Sequence, residues 1–179
     1  IEEVKTVADS KGNASFFIKL NYINKDLLGP DDVVLKKGEP MDNDTLRLYF
    51  QKDPSKEEYE IHEISVTGAK NFIAFNKKDA KLWWPNGYGE HPLYNYKLEL
   101  IRGNKVQDEF KGRVGFRSIE VKEEPKPGNL LGMDFYINGK KVFLKGSNWV
   151  PPECFTGVMS DDKYRDMITL AKNMNSNIL

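Results

Sequence analysis

Along the first two thirds of the chain, apolar and polar positions alternate with a period of two. In ASFFIKLNYI the residues Phe16, Ile18, Leu20 and Tyr22 alternate with Ser15, Phe17, Lys19 and Asn21. TLRLYF repeats the pattern with Leu46, Leu48 and Phe50, and LYNYKLELI places Tyr94, Tyr96, Leu98 and Leu100 on one side. Successive side chains of a strand point to opposite faces, so each segment reads as a half-buried β-strand. YEIHEISV changes phase between Ile61 and Ile64, which predicts a bulge or turn inside it. RGNK, residues 102 to 105, supplies the Gly and Asn of a tight hairpin before VQDEF and VGFRSIEV. Short alternating strands with no helix between them predict a mainly β chain opening with an antiparallel sandwich. Residues 1–122 have the length of an immunoglobulin-like β-sandwich, although no Cys-Trp-Cys signature accompanies it.

The pattern changes after EEPKPGN, residues 123 to 129, whose two prolines and glycine predict a linker. DFYINGKKVFLKG follows as a hairpin with Asn138-Gly139 at its turn. Beyond GSNWVPPECF a helix is predicted. Ser160 is placed to cap it, Asp161 and Asp162 suit its positive N-terminal end, and Tyr164, Met167, Ile168, Ala171 and Met174 form one apolar stripe. NSNIL then begins another strand. Strand, loop, helix and strand open a parallel α/β unit. Residues 123–179 therefore read as linker, hairpin and the first strand and helix of a (β/α)8 barrel, which takes about 250 residues to close. The chain is expected to be a fragment of a larger protein. Its helix stripe and the strand around Phe143 are expected to fold back on the sandwich, pair with another copy, or lose order, because wet apolar faces are costly.

Composition narrows the function classes. Lys plus Arg and Asp plus Glu number 27 each, so no overall field draws the chain to nucleic acid or to an anionic membrane. No apolar run approaches the roughly 20 residues of a membrane span. Cys154 is the lone cysteine, and His62 and His91 are the only histidines, so neither an internal disulfide nor a multi-cysteine metal site is expected. Asn13-Ala14-Ser15 and Asn43-Asp44-Thr45 match the glycosylation acceptor pattern, which permits a secretory-pathway protein without requiring one.

Candidate chemistry concentrates in GSNWVPPECF, at the C-terminal end of the expected barrel strand, where such folds keep their active sites. Asn148 is suited to donate to a substrate hydroxyl, and Trp149 offers a flat face to a sugar ring. The alternative is that Trp149 packs under a neighbouring loop stiffened by Pro151 and Pro152. Glu153 lacks the second carboxyl, about 5 to 9.5 Å away, that a glycosidase needs. Cys154 has no neighbouring base to activate it. KLWWPNGYGEHPLY, residues 81 to 94, is either a structural corner or a sugar-binding surface. The structural reading expects at least one of Trp83 and Trp84 to be mostly buried.

LWWPNGYGEHPLY, GFRSIEV, FYINGKKVFLKGSNWVPPECF and AKNMNSNIL occur in an order that resembles the β-mannosidases of glycoside hydrolase family 2. The likeness covers residues 80 to 179 well, and residues 1 to 79 only in strand pattern. It implies retaining hydrolysis of terminal β-mannosides by two glutamates on later barrel strands, with no metal or cofactor, so no catalytic residue is assigned here. The implied partner is a β-mannoside oligosaccharide or glycoprotein-derived glycan, with neither nucleic acid nor membrane, and with self-association open to the fragment. A lysosomal or secreted location follows for a eukaryotic source. The family's usual Pro-Ala-Asp is Pro151-Pro152-Glu153 here, so any pocket role for Glu153 is not carried over. A stand-alone immunoglobulin-like carbohydrate- or protein-binding module, and another family 2 glycosidase such as an exo-β-glucosaminidase, remain alternatives.

Overall fold

In the computed structural model, residues 1–21, 44–128, 130–150 and 156–179 are described. They form two compact units, one of Ile1–Lys81 with Pro92–Phe116, the other of Leu82–His91 with Arg117–Leu179.

The described residues of the first unit form seven strands: β1 (Glu3–Ala8), β2 (Asn13–Lys19), β3 (Asp44–Gln51), β4 (Tyr59–Ser65), β5 (Lys70–Asn76), β6 (Tyr94–Arg102) and β7 (Lys105–Val114). They form two antiparallel sheets, ordered β1-β2-β5 and β4-β3-β6-β7. The period-two residues face inward as expected. Phe16 and Ile18 of β2, Leu46, Leu48 and Phe50 of β3, and Tyr94, Tyr96 and Leu98 of β6 are all buried. Phe16 meets Phe50 edge-on at 6.1 Å and Tyr96 at 5.0 Å, which brings the two sheets face to face as a sandwich. Tyr22 lies outside the described residues.

The expected break in YEIHEISV is absent. β4 pairs with β3 without a shift from Thr45↔Ser65 to Gln51↔Tyr59. His62 occupies an inward position and stacks on Phe75 at 4.1 Å, while Ile61 points to solvent. An imidazole standing where an apolar residue would complete the alternation produced the apparent change of phase. The irregularity in this sheet lies instead between Leu100 and Ile101, opposite β7. The β6–β7 turn is the two-residue Gly103-Asn104 hairpin that the sequence predicts.

One ion pair ties the sheet's ends. The Asp44 carboxylate is fully buried and takes Arg102 in a bidentate grip, Nε at 2.8 Å and Nη2 at 2.9 Å. Removing one partner of such a pair strands the other. Arg102 keeps partial solvent access, so Asp44→Ala should cost about 2 kcal/mol in urea denaturation. A loss below about 0.5 kcal/mol would mean that the pair contributes no more than an exposed one.

Several carboxyls are held below their ordinary range. The Lys97 ammonium bonded to Glu99 does this on β6, the Asn13 side chain does it for Asp9, and Ser55 with Lys81 does it strongly for Asp53. A carboxyl with a depressed folded pKa stabilises the fold above its unfolded pKa and loses that contribution as pH falls through the folded value. Melting temperatures should therefore be level above about pH 5 and decline below about pH 4. Calorimetry across pH 7, 5 and 3 checks this, and a melting temperature that rises on acidification would contradict it.

The second unit contains β8 (Ile119–Lys126), β9 (Leu130–Ile137) and β10 (Lys140–Val142) in an antiparallel sheet ordered β10-β9-β8. Asn138 and Gly139 both have positive φ, 51° and 77°, giving the predicted two-residue turn. Residues 123–126, expected as linker, continue β8, with Glu123↔Met133 and Pro125↔Leu131 as partners. Proline is tolerated there because β8 is an edge strand, where the missing N–H breaks no ladder.

A short 3-10 turn, Thr156–Val158, precedes α1 (Asp161–Asn173). Ser160 caps α1 by accepting from Lys163 N, and Asp161 and Asp162 fill its first turn. The helix ends in a left-handed Asn175 (φ 58°) with Ser176 N on Ala171 O and Asn175 N on Lys172 O, the double bond pattern of a Schellman cap. Tyr164, Ile168 and Met174 are exposed, and Met167 and Ala171 are half-buried. α1 is a regular helix whose stripe is covered in part, at Met167 and Ala171, and open at Tyr164, Ile168 and Met174. Pro151, Pro152, Glu153 and Cys154 lie outside the described residues.

Candidate functional site

After β10 the chain runs through Phe143 and Lys145 to Gly146, which forms an isolated parallel bridge with Ile178. The approach is close enough that a Cβ on Gly146 would lie 1.9 Å from the Ile178 carbonyl oxygen, so only glycine fits. Asn177 secures the same strand: its backbone N–H donates to Lys145 O at 2.7 Å, its Oδ1 accepts from Lys145 N at 2.7 Å, and its Nδ2 donates to Phe143 O at 2.9 Å.

Directly beyond this bridge come the two predicted site residues. Asn148 is exposed and Trp149 half-buried, and both line a shallow cavity of about 390 Å³ with Lys145, Met167, Leu170 and Met174. The structure therefore brings the amide and the indole together, beside the partly covered stripe of α1. A primary amide offers two donors and an acceptor to ring hydroxyls, and an indole face suits the apolar side of a pyranose. The residues lining this cavity include neither aspartate nor glutamate. Among the described residues, no pair of carboxyls able to cleave a glycosidic bond lines it. No group of three or more His, Cys, Asp or Glu able to hold a metal occurs among the described residues.

The aromatic stretch is a braced corner. Tyr88 N donates to Pro85 O at 3.0 Å across a turn that places Gly87 at φ 81°. Trp84 N donates to Glu90 O at 2.9 Å, and Gly89 lies against the Trp84 indole, where a Cβ would come within 2.8 Å of Cδ1. Arg117 stacks its guanidinium over Trp83 at 4.6 Å, and Asn138 Nδ2 donates to Trp83 O at 2.9 Å. Both indoles are largely covered, as the structural reading expects, and neither lies flat in solvent. Three hydrogen bonds link the corner to the segment and helix that carry the cavity. Tyr88 OH accepts from Phe143 N at 2.9 Å, and Asn86 Nδ2 donates to Lys172 O at 3.1 Å and Ser176 O at 3.2 Å.

Sequence reasoning missed Asn86, Gly146 and Asn177. The available signal was Asn177 itself, an asparagine in the segment NSNIL expected to be a strand, where asparagine is depleted unless its side chain has a task.

Residues 4–117 match the sequence pattern of Glycosyl hydrolases family 2, well over half of the chain. "Beta-mannosidase B" of Aspergillus clavatus is 30% identical over 136 residues, 74% of this chain and 16% of that protein. "Beta-mannosidase" of Capra hircus is 35% identical over 113 residues, 62% of this chain and 13% of that protein. The chain thus spans only a small part of the length of these relatives. Among solved structures, β-D-mannosidase from Dictyoglomus thermophilum superposes with a TM-score of 0.70 at 23% identity, covering 99% of this chain and 20% of that one. That likeness concerns the fold. The mainly β architecture, the family pattern and the β-mannosidase relatives agree, and the chain belongs to glycosyl hydrolases family 2.

Proposed function

We propose that the chain is a non-catalytic portion of a retaining exo-β-mannosidase, with an immunoglobulin-like sandwich over residues 1–122 and the opening strand and helix of a (β/α)8 barrel over 123–179. Three strands facing four in antiparallel sheets support the first domain. The observation that supports the second is the parallel Gly146↔Ile178 bridge, with α1 lying between its two partners in the chain as in a β-α-β unit. It leaves Asn148 and Trp149 at the C-terminal end of the first strand, the end where barrel enzymes bind substrate.

In this reading Asn148 hydrogen-bonds a hydroxyl of the terminal mannose and Trp149 supports the ring. The acid/base and nucleophilic carboxylates come from strands beyond Leu179, at the short spacing of about 5 Å that retention requires. The substrate class is a β-mannoside oligosaccharide or a glycan trimmed from a glycoprotein. The mammalian and plant relatives are compatible with a lysosomal or secreted setting. The test is turnover of aryl β-glycosides by the complete gene product that carries this chain. Preference for the β-mannoside supports the proposal, and preference for the β-glucosaminide would replace it with the other family 2 specificity.

A further inference from the structure

The segment that presents Asn148 and Trp149 is held in place by side-chain amides. Asn177 meets Phe143 O and Lys145 N with its two amide ends, and only a side chain that donates and accepts at once can do both. Asn86 in turn donates to Ser176 O, the carbonyl of the peptide that leads into Asn177, and to Lys172 O at the end of α1. The aromatic corner, the helix cap and the strand are thereby joined through two asparagines placed 91 positions apart in the chain.

We infer that Asn177 is a positioning residue for the Asn148–Trp149 pair, and that Asn86 holds the Ser176–Asn177 peptide that aims it. The functional half of this inference rests on the reading proposed above; the structural half does not. Lys145 lies three residues before Asn148, and its N–H and C=O are both bonded to Asn177. A leucine at 177 would keep the backbone bond but leave Lys145 N and Phe143 O without these partners. An aspartate would keep an acceptor for Lys145 N and lose only the donor to Phe143 O.

Site-resolved amide exchange by NMR on the 179-residue chain tests the clamp, using Asn177→Leu, Asn177→Asp and Asn86→Leu. With one hydrogen bond removed, exchange at Lys145 should speed up roughly tenfold in Asn177→Leu and return close to the parent rate in Asn177→Asp. Asn86→Leu should speed exchange at Asn177 by about threefold without altering β3 or β6. Lys145 exchange within twofold of the parent in Asn177→Leu would overturn the clamp. Should that variant lose its fold, failure of Asn177→Asp to protect Lys145 would overturn it equally. In the complete gene product, kcat/KM on an aryl β-mannoside should drop at least tenfold in Asn177→Leu and recover in part in Asn177→Asp. Altered exchange with unaltered kcat/KM would overturn the positioning role. A parent that turns over no β-mannoside would remove the functional reading, with the exchange data still deciding the clamp.

Discussion

Truncating Phe50 to alanine is expected to destabilise the sandwich by about 3 to 5 kcal/mol, a large share of the 5 to 15 kcal/mol that typical domains possess. Phe50 has no exposed surface and sits at the centre of an aromatic cluster. It lies 4.9 Å from Phe75, 5.5 Å from Tyr94 in a stacked pair, and 6.1 and 6.2 Å from Phe16 and Phe116 in edge-on contacts. Deleting the ring removes its transfer free energy and leaves a cavity whose rigid aromatic walls cannot easily collapse. Phe50→Leu should recover much of the loss because most of the volume is kept. Phe17→Ala supplies the control. Phe17, next to the buried Phe16 on β2, points outward and is 49% exposed, so its truncation should change stability by less than about 1 kcal/mol. Urea titrations followed by far-ultraviolet circular dichroism measure all three. Equal losses for Phe50→Ala and Phe17→Ala would contradict the inward and outward assignment of β2 and β3.

The largest functional effect is expected at Asn148. In the complete gene product, Asn148→Ala should lower kcat/KM on an aryl β-mannoside by roughly 10²- to 10³-fold, the range for losing a donor that acts in the transition state. Asn148 is exposed, so the melting temperature should stay within about 1 °C of the parent. Asn148→Asp keeps the size but replaces two donors with acceptors, and it should fail nearly as badly if donation is the role. A fall of less than about threefold in both variants would place Asn148 outside the substrate's reach.

How much of this was legible in the chain follows from the range of the interactions. The alternation of Phe16, Ile18, Leu46, Leu48, Phe50, Tyr94, Tyr96 and Leu98 is local, and it located the strands and their buried face. Ser160 and Asn138-Gly139 likewise act over a few residues, so the cap and the hairpin turn were readable. The apparent phase change around His62 misled because an imidazole stacked on Phe75 serves as an inward residue, which hydropathy does not register. EEPKPGN misled for a different reason: its prolines announce a break, yet an edge strand can continue through Pro125. The Asp44–Arg102 pair and the Asn86 and Asn177 bonds join positions 32 to 90 apart, and no local pattern encodes them.

The same limit applied to the candidate site. Asn148 and Trp149 could be singled out as candidates because their place after a barrel-like strand is a sequence-order argument. The glycine that permits the Gly146↔Ile178 approach, and the amides that fix it, become visible only when the return of the chain after α1 brings Asn177 back beside Lys145. Asparagines in an apolar segment are therefore the positions at which a strand assignment should prompt a search for distant backbone partners.

If binding groups reside in this chain while bond cleavage is supplied from outside it, a paired assay will separate the two. The 179-residue chain and the complete gene product would be compared for hydrolysis of an aryl β-mannoside. The chain should show no turnover above the uncatalysed rate, and the complete product should show retaining turnover. Hydrolysis by the chain alone, or a complete product inert toward β-mannosides, would contradict that division.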